Sequence, residues 1–323
     1  MTQVPLRYSF LLATLLTVLL AGTSLLVGAD STATGERLEM IVTTLRIPRM
    51  FAALLAGVAL GAGGVLLQAA TRNPLAETGL LGVNSGAALG VVLGISFAGA
   101  ESGYEYLIYA LGGAMLASAA VLAIASTGRA SPLRLILAGV ALGATLRGIT
   151  GYLLLRNTAG FDQYRFWTLG SLSGVDSRMV LHAAPFVASG LLLAGFMVRP
   201  LSALALGDEA ARALGHHPGR VRVLVAIAVT LLAAASVAIA GPIAFLGLLA
   251  PWLARAVAGP FLPAQLFLAA VFGAGLLLLA DTIARVIVRP YEVPASVLIA
   301  IAGAPLLVWA ARSRSLSTLD GAR

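Results

Sequence analysis

An all-α protein built into a lipid bilayer, with about ten membrane-spanning helices, is the fold class this sequence predicts. Three observations carry that expectation. Of 323 residues, 59% are hydrophobic and only 11% are charged, so the bilayer is a better solvent for this chain than water. Most of the chain divides into runs free of Asp, Glu, Lys and Arg, each near the ~18–20 residues a spanning helix needs. The runs are continuous rather than alternating, which excludes strands of the porin type.

The uninterrupted runs cover residues 8–29, 50–71, 78–100, 106–128, 179–198, 223–254, 256–280 and 293–311, and 135–155 is interrupted by Arg147 alone. The 223–254 run is too long for one helix. Its Gly241-Pro242 step is a natural break, because proline removes a donor and disfavours helix in the residue before it. Helices near 221–240 and 243–257, joined by a tight turn, bring the eight uninterrupted runs and the one interrupted run to ten spans. The whole of 1–323 then reads as a single transmembrane domain with both termini on one side.

Three connections exceed a turn. Residues 30–45 read as an outer loop, and 157–178 as an outer loop holding Phe161, Tyr164, Phe166 and Trp167. Those aromatics fit a short interfacial helix, or a plain aromatic anchor. The third connection, 200–220, falls on the side shared by the termini, Arg129, Arg134, Arg312 and Arg314. That arginine excess marks the side as cytoplasmic, although Arg37, Arg46, Arg49, Arg156, Arg165 and Arg178 lie on the other.

Composition also excludes functions. The net charge of +8 belongs to this topology, and no soluble basic domain is left over for nucleic acid. There is no cysteine for disulfides, thiolate metal sites or nucleophiles. The three histidines, His182, His216 and His217, do not form a metal-binding spacing. No lysine occurs, so a Walker A loop is impossible and ATP-driven work belongs to a partner chain. Neither HExxH nor an in-span Asp pair supports an intramembrane enzyme. An ion-coupled secondary transporter is the competing class, but no Asp or Glu falls in the middle of an assigned span, where a coupling ion would need it.

Four features stand out along the chain. Arg46 and Arg49 lie one turn apart before an apolar span, an Asn73-Pro74 turn and a glycine-laced span with Gly86, Gly90 and Gly94. The octapeptide LAGVALGA occurs at 55–62 and 137–144; its GxxxG spacing allows close helix approach, through duplication or through convergent packing. In the inner connection, Asp208 and Glu209 suit the positive N-terminus of a short helix that Gly215 ends. Such a helix fits a groove on a partner, or an ordinary amphipathic linker. Arg147 sits near the middle of a span, where a charge usually faces a cavity or a partner.

The chain resembles the FecCD family of permeases, membrane subunits of binding-protein-dependent ABC importers for ferric siderophores, haem and cobalamin. Arg46-Ile-Pro-Arg49, Gln68, Asn73-Pro74-Leu75-Ala76, Gly79-Leu-Leu-Gly82 and Ser85-Gly86 carry the likeness first. Trp167 with Gly170-Ser171-Leu172, residues 206–215, Gly241-Pro242-Ile243, residues 281–285 and Glu292-Val-Pro294 continue it in order. Two positions depart: Trp252 stands where His is usual, and Thr78 where Pro is common.

The resemblance implies a type II ABC importer permease architecture in the bacterial inner membrane. It implies a second permease subunit, two ATP-binding subunits that carry ATP and Mg²⁺, and an extracytoplasmic binding protein; this chain would bind no cofactor or metal. Arg46, Arg49 and Arg285 would meet acidic residues of the binding protein through exposed guanidiniums. Leu206, Gly207, Asp208, Glu209, Ala210, Ala211, Leu214 and Gly215 would form the coupling helix that rests on the ATPase. Arg147, Gln68 and Trp167 are the candidates for the substrate pathway. A ferric siderophore is the favoured cargo, ahead of haem and cobalamin; homodimer and heterodimer are both open.

Overall fold

Thirteen α-helices and no strand make up the described part of the chain, residues 6–28, 34–126, 132–156, 158–289 and 291–312 of this computed structural model. Arg129, Asn157 and Arg314 lie outside the described residues, as do parts of the outer connection at 30–45. The helices are α1 (Leu6–Leu26), α2 (Gly35–Ile41), α3 (Ile47–Thr71), α4 (Val83–Phe97), α5 (Gly103–Ser126), α6 (Pro132–Arg156) and α7 (Thr158–Thr168). They continue with α8 (Ser177–Ala205), α9 (Asp208–Ala213), α10 (Pro218–Ala240), α11 (Leu246–Ala258), α12 (Leu262–Ala284) and α13 (Ala295–Arg312).

Seven helical runs are long and apolar enough to cross a bilayer, and α4, α11 and α13 contribute three shorter apolar helices. The sum, ten, matches the number of spans expected, but three local expectations need correction. Residues 35–45 are not loop: α2 and a five-residue π-helix, Val42–Arg46, run straight into α3 as one 37-residue stretch. Pro48 supplies the reason, since it cannot donate to the carbonyl four residues back and crowds it, and a π-bulge absorbs the misfit. The third span is helical in α form only from Val83, after a 3₁₀ turn at Thr78–Leu81. Gly241-Pro242 opens not a tight turn but a non-helical passage from 241 to 245.

That passage makes α11 a half-length helix. Its first turn lies against the middle of α3, where a Cβ on Gly64 would strike the Gly247 carbonyl and Pro251. The 3₁₀ turn folds back to the same depth, with the Thr78 methyl beside Gly63. Two broken segments therefore meet near mid-membrane, each covered by protein, which is where non-helical backbone is tolerated in a bilayer.

Packing is dense where side chains are small. Gly57 and Gly61 on α3 press on the backbone of α12 at Gly273 and Ala269, and Gly86 and Gly90 on α4 press on Gly113 and Tyr109 of α5. The two octapeptide copies serve different ends. The first joins α3 to α12, whereas the second leaves much of α6 exposed. The spans of α3 and α10 are 72% and 78% buried and form the centre, while α1, at 11%, stands at the periphery.

Candidate functional site

At the outer end, the three arginines expected on an exposed edge are buried: Arg46, Arg49 and Arg285 are 6%, 8% and 2% exposed. The expectation of freely exposed guanidiniums is therefore corrected. Arg49 forms a fork on Asp281, with Nε 2.9 Å and 3.1 Å from its two carboxylate oxygens, and reaches Glu292 at 2.7 Å. Arg285 holds the same carboxylate at 2.8 Å from the next turn of α12. Charges withdrawn from water require such partners. Asp281, fully buried, is the shared one.

The remaining donors of this cluster go to the end of α1. Arg46 donates to the carbonyls of Leu25 and Leu26 at 2.8 Å and 3.0 Å. Arg285 donates to Ser24 O and Ser24 Oγ, and Arg289 to Gly28 O. Three cations thus satisfy the orphan carbonyls at the negative end of a helix. Sequence reasoning missed this clamp. The Asp281/Arg285 pair was legible from its i,i+4 spacing, but the α1 carbonyls leave no trace in residue type.

At the inner end, α3 stops at Arg72, which adopts a left-handed φ of 51°. Asn73 Oδ1 accepts the Leu75 N–H at 2.9 Å and shapes the turn that follows. The Arg72 guanidinium donates to Leu204 O at 2.7 Å and to Asp208 Oδ1 at 3.0 Å, and Arg222 reaches that oxygen at 2.6 Å. Asp208, the first residue of α9, thus ties together the inner ends of α3 and α10, and Arg72 adds the end of α8 through Leu204 O. The Arg222 hydrogen bond, with the charges of Arg222, Arg72 and Arg212, holds its carboxyl below the usual range, against a smaller desolvation effect. Ala211 packs inward, fully buried, while Leu206 and Leu214 are 75% and 61% exposed.

Of the three pathway candidates, Gln68 is closed off. Its amide is 4% exposed, donates to Ala76 O and Gly247 O, and accepts from Arg255. It braces the inner turn against α11 and lines no open passage in this conformation. Glu77 acts alongside it by accepting the Phe245 N–H at 3.0 Å. Phe245 has a left-handed φ of 66°, so this carboxylate holds a strained residue at the head of α11. Arg255, Glu77, Arg72 and Arg222 carry these contacts without forming any motif by spacing.

Trp167 lies at the end of α7, beside an outer cavity of about 450 Å³ shared with Tyr106, Ser171, Met179 and Glu292. Its indole N–H is buried without a hydrogen-bond partner among the described residues. Arg147 is elsewhere, exposed on α6, with one hydrogen bond to Ser85 Oγ on α4 at 3.2 Å. The structure does not bring the three candidates together.

Relatives give this arrangement a context. The model of the FecCD transport family matches residues 9–313. The ferric enterobactin transport system permease protein FepD of Escherichia coli (strain K12) is 43% identical, covering 76% of this chain and 77% of its own. The Fe(3+)-citrate import system permease protein YfmD of Bacillus subtilis (strain 168) is 38% identical over 76% of this chain and 73% of its own. A solved chain described as a metal-chelate type ABC transporter in an inward-facing conformation superimposes with a TM-score of 0.85 at 29% identity, covering 95% of this chain and 100% of its own. With ten apolar helices and a family match spanning nearly its whole length, this multi-pass membrane protein belongs to the FecCD transport family.

Proposed function

We propose that this chain is the permease subunit of an ATP-driven importer that moves a ferric siderophore across the bacterial cytoplasmic membrane. The observation that carries the reading is α9, a short helix beyond the spans, pinned through Asp208 with Leu206 and Leu214 left bare. Leu206, Gly207, Asp208, Glu209, Ala210, Ala211, Leu214 and Gly215 form the coupling helix in this reading. A separate ATPase subunit, carrying ATP and Mg²⁺, seats its cleft on the two leucines. Closure of two such ATPases moves the helices of two permease subunits and shifts them between outward- and inward-facing packings. The FepD and YfmD names support an iron chelate as cargo.

In the reconstituted complex, Leu206→Glu with Leu214→Glu should cut ATPase association and cargo-stimulated hydrolysis roughly tenfold or more, as loss of interface anchors does. Unchanged hydrolysis coupled to transport would refute the assignment of α9.

At the outer ends of α3 and α12, Arg46, Arg49, Arg285 and Arg289 cluster with Asp281 and Glu292. We infer that Arg46, Arg49 and Arg285 serve binding-protein docking by shaping this edge and steering an acidic partner through its field. Arg289, exposed at the rim, gives the clean test. Arg289→Glu should slow association severalfold at low salt and little at high salt; a rate insensitive to both charge and salt would refute it.

A further inference from the structure

Two of the exposed helices differ at mid-span. The bare face of α1 carries Leu11, Leu12, Leu15, Leu16, Val18 and Leu19, a surface made for lipid tails. α6 also bares large apolar side chains toward its ends, among them Leu133, Leu137, Tyr152 and Leu155, but between Val140 and Ile149 its exposed residues are Ala141, Ala144, Thr145 and Gly148 beside Arg147. Nothing lies within 4 Å of where a Cβ on Gly148 or Gly151 would stand. At the depth of the hydrocarbon core, that patch of small residues and a cation makes a poor lipid surface and a good wall for a protein-enclosed passage.

Arg147 lies three residues past Ala144, the midpoint of α6, or ~4.5 Å along the axis. Side chains on a helix lean toward its N-terminus, which returns the guanidinium to the midpoint. The room for this comes from Gly143, one turn back, where a Cβ would stand 3.5 Å from Arg147 Nη1 and 3.2 Å from Ser85 Oγ. The guanidinium therefore sits at the middle of the span, and no carboxylate pairs with it among the described residues. Its neighbour Ser85 is a hydroxyl and cannot neutralise it. A full charge at that depth, with four N–H donors still to satisfy, calls for an anion.

We propose that Arg147 is a cationic station midway along the translocation pathway, and that the cargo is an iron chelate of net negative charge. This rests on the importer reading above and narrows its cargo to anionic complexes, such as tris-catecholates or ferric citrates, against neutral tris-hydroxamates and cobalamin. The planar fork of arginine suits the clustered oxygens of such a chelate.

The test uses proteoliposomes holding the complete importer with its binding protein, supplied with radiolabelled iron as a trianionic tris-catecholate or as a neutral tris-hydroxamate. Wild type should accumulate the anionic chelate. Arg147→Gln should lose roughly tenfold or more of that uptake, as expected for a lost hydrogen bond to a charged group, and Arg147→Lys should retain most of it. Undiminished uptake by an assembled Arg147→Gln complex would overturn the proposal. Wild-type uptake of the neutral chelate alone would overturn it and leave the importer reading intact, whereas uptake of neither would overturn the ferric-chelate reading beneath it.

A second measurement does not depend on uptake. The chain has no cysteine, so Arg147→Cys is the one thiol of this subunit, and a membrane-impermeant thiol reagent should label this subunit in the assembled complex, with the anionic chelate slowing the labelling. A thiol that never reacts would mean position 147 faces lipid or is sealed in a subunit interface, and the proposal would fall.

Discussion

Asp281 is the residue on which the outer end depends most. It has no exposed surface and sits between Arg49 and Arg285, each within 2.9 Å. Removing one partner of a buried ion pair leaves the other charge uncompensated, at a cost of roughly 3–5 kcal/mol. Asp281→Asn should therefore lower the thermal unfolding midpoint in detergent markedly, whereas the smaller loss from Glu292→Gln reflects a carboxylate still 30% exposed. A midpoint unmoved by Asp281→Asn would contradict the shared-carboxylate arrangement. At this scale the sequence was only half legible. Arg46, Arg49 and Arg285 were recognisable as a group, but whether they pointed outward or inward depended on Asp281 and on the backbone of α1, up to 261 residues distant.

Among the elements, α9 has the clearest pH signature. A depressed carboxylate pKa means that Asp208 adds stability which is complete above the ordinary carboxylate range. That stability is lost as pH falls through the lowered folded value. The joint between α3, α8, α9 and α10 should thus hold at neutral pH and loosen under acid. Hydrogen exchange at residues 206–215 should rise as pH falls into the carboxylate range, after correction for the intrinsic pH dependence of exchange. Asp208→Asn should show raised exchange already at pH 7, and equal protection in the two proteins would refute the joint. The helix itself was readable, because acids at its start and Gly215 at its end are local signals. Its anchoring was not, since Arg72 and Arg222 come from other helices. The short extent of α4 escaped notice, because hydropathy records how apolar a stretch is and this 15-residue helix is as apolar as a full span, whereas the Gly241-Pro242 break already marked α11 as short.

Across the whole molecule, charge-free runs gave the number of spans because the bilayer imposes one length on every crossing. They could not rank the helices by depth of burial. Only the tertiary packing distinguishes α3 and α10, nearly enclosed, from α1, nearly bare. The central α3 continues outward through the π-helix and α2, carries Arg49 near one end, and is capped by Arg72 at the other. It physically joins the outer ion cluster to the joint on which α9 rests. Rigid helices with two discrete packings at their ends are the means by which distant sites are coupled.

The Arg49–Asp281 fork also has a consequence for biogenesis. The two residues are 232 positions apart, so at synthesis rates of ~5–20 residues per second the acid follows the base by roughly 12–46 s. Throughout that interval Arg49 lacks the Asp281 carboxylate that accompanies it out of water, and although Arg46 reaches Leu25 and Leu26 early, the Ser24 and Val27 carbonyls wait for Arg285. The first spans to enter the bilayer are thus the last to be sealed. The outer edge closes when α12 arrives, and the final quarter of the chain fastens the first.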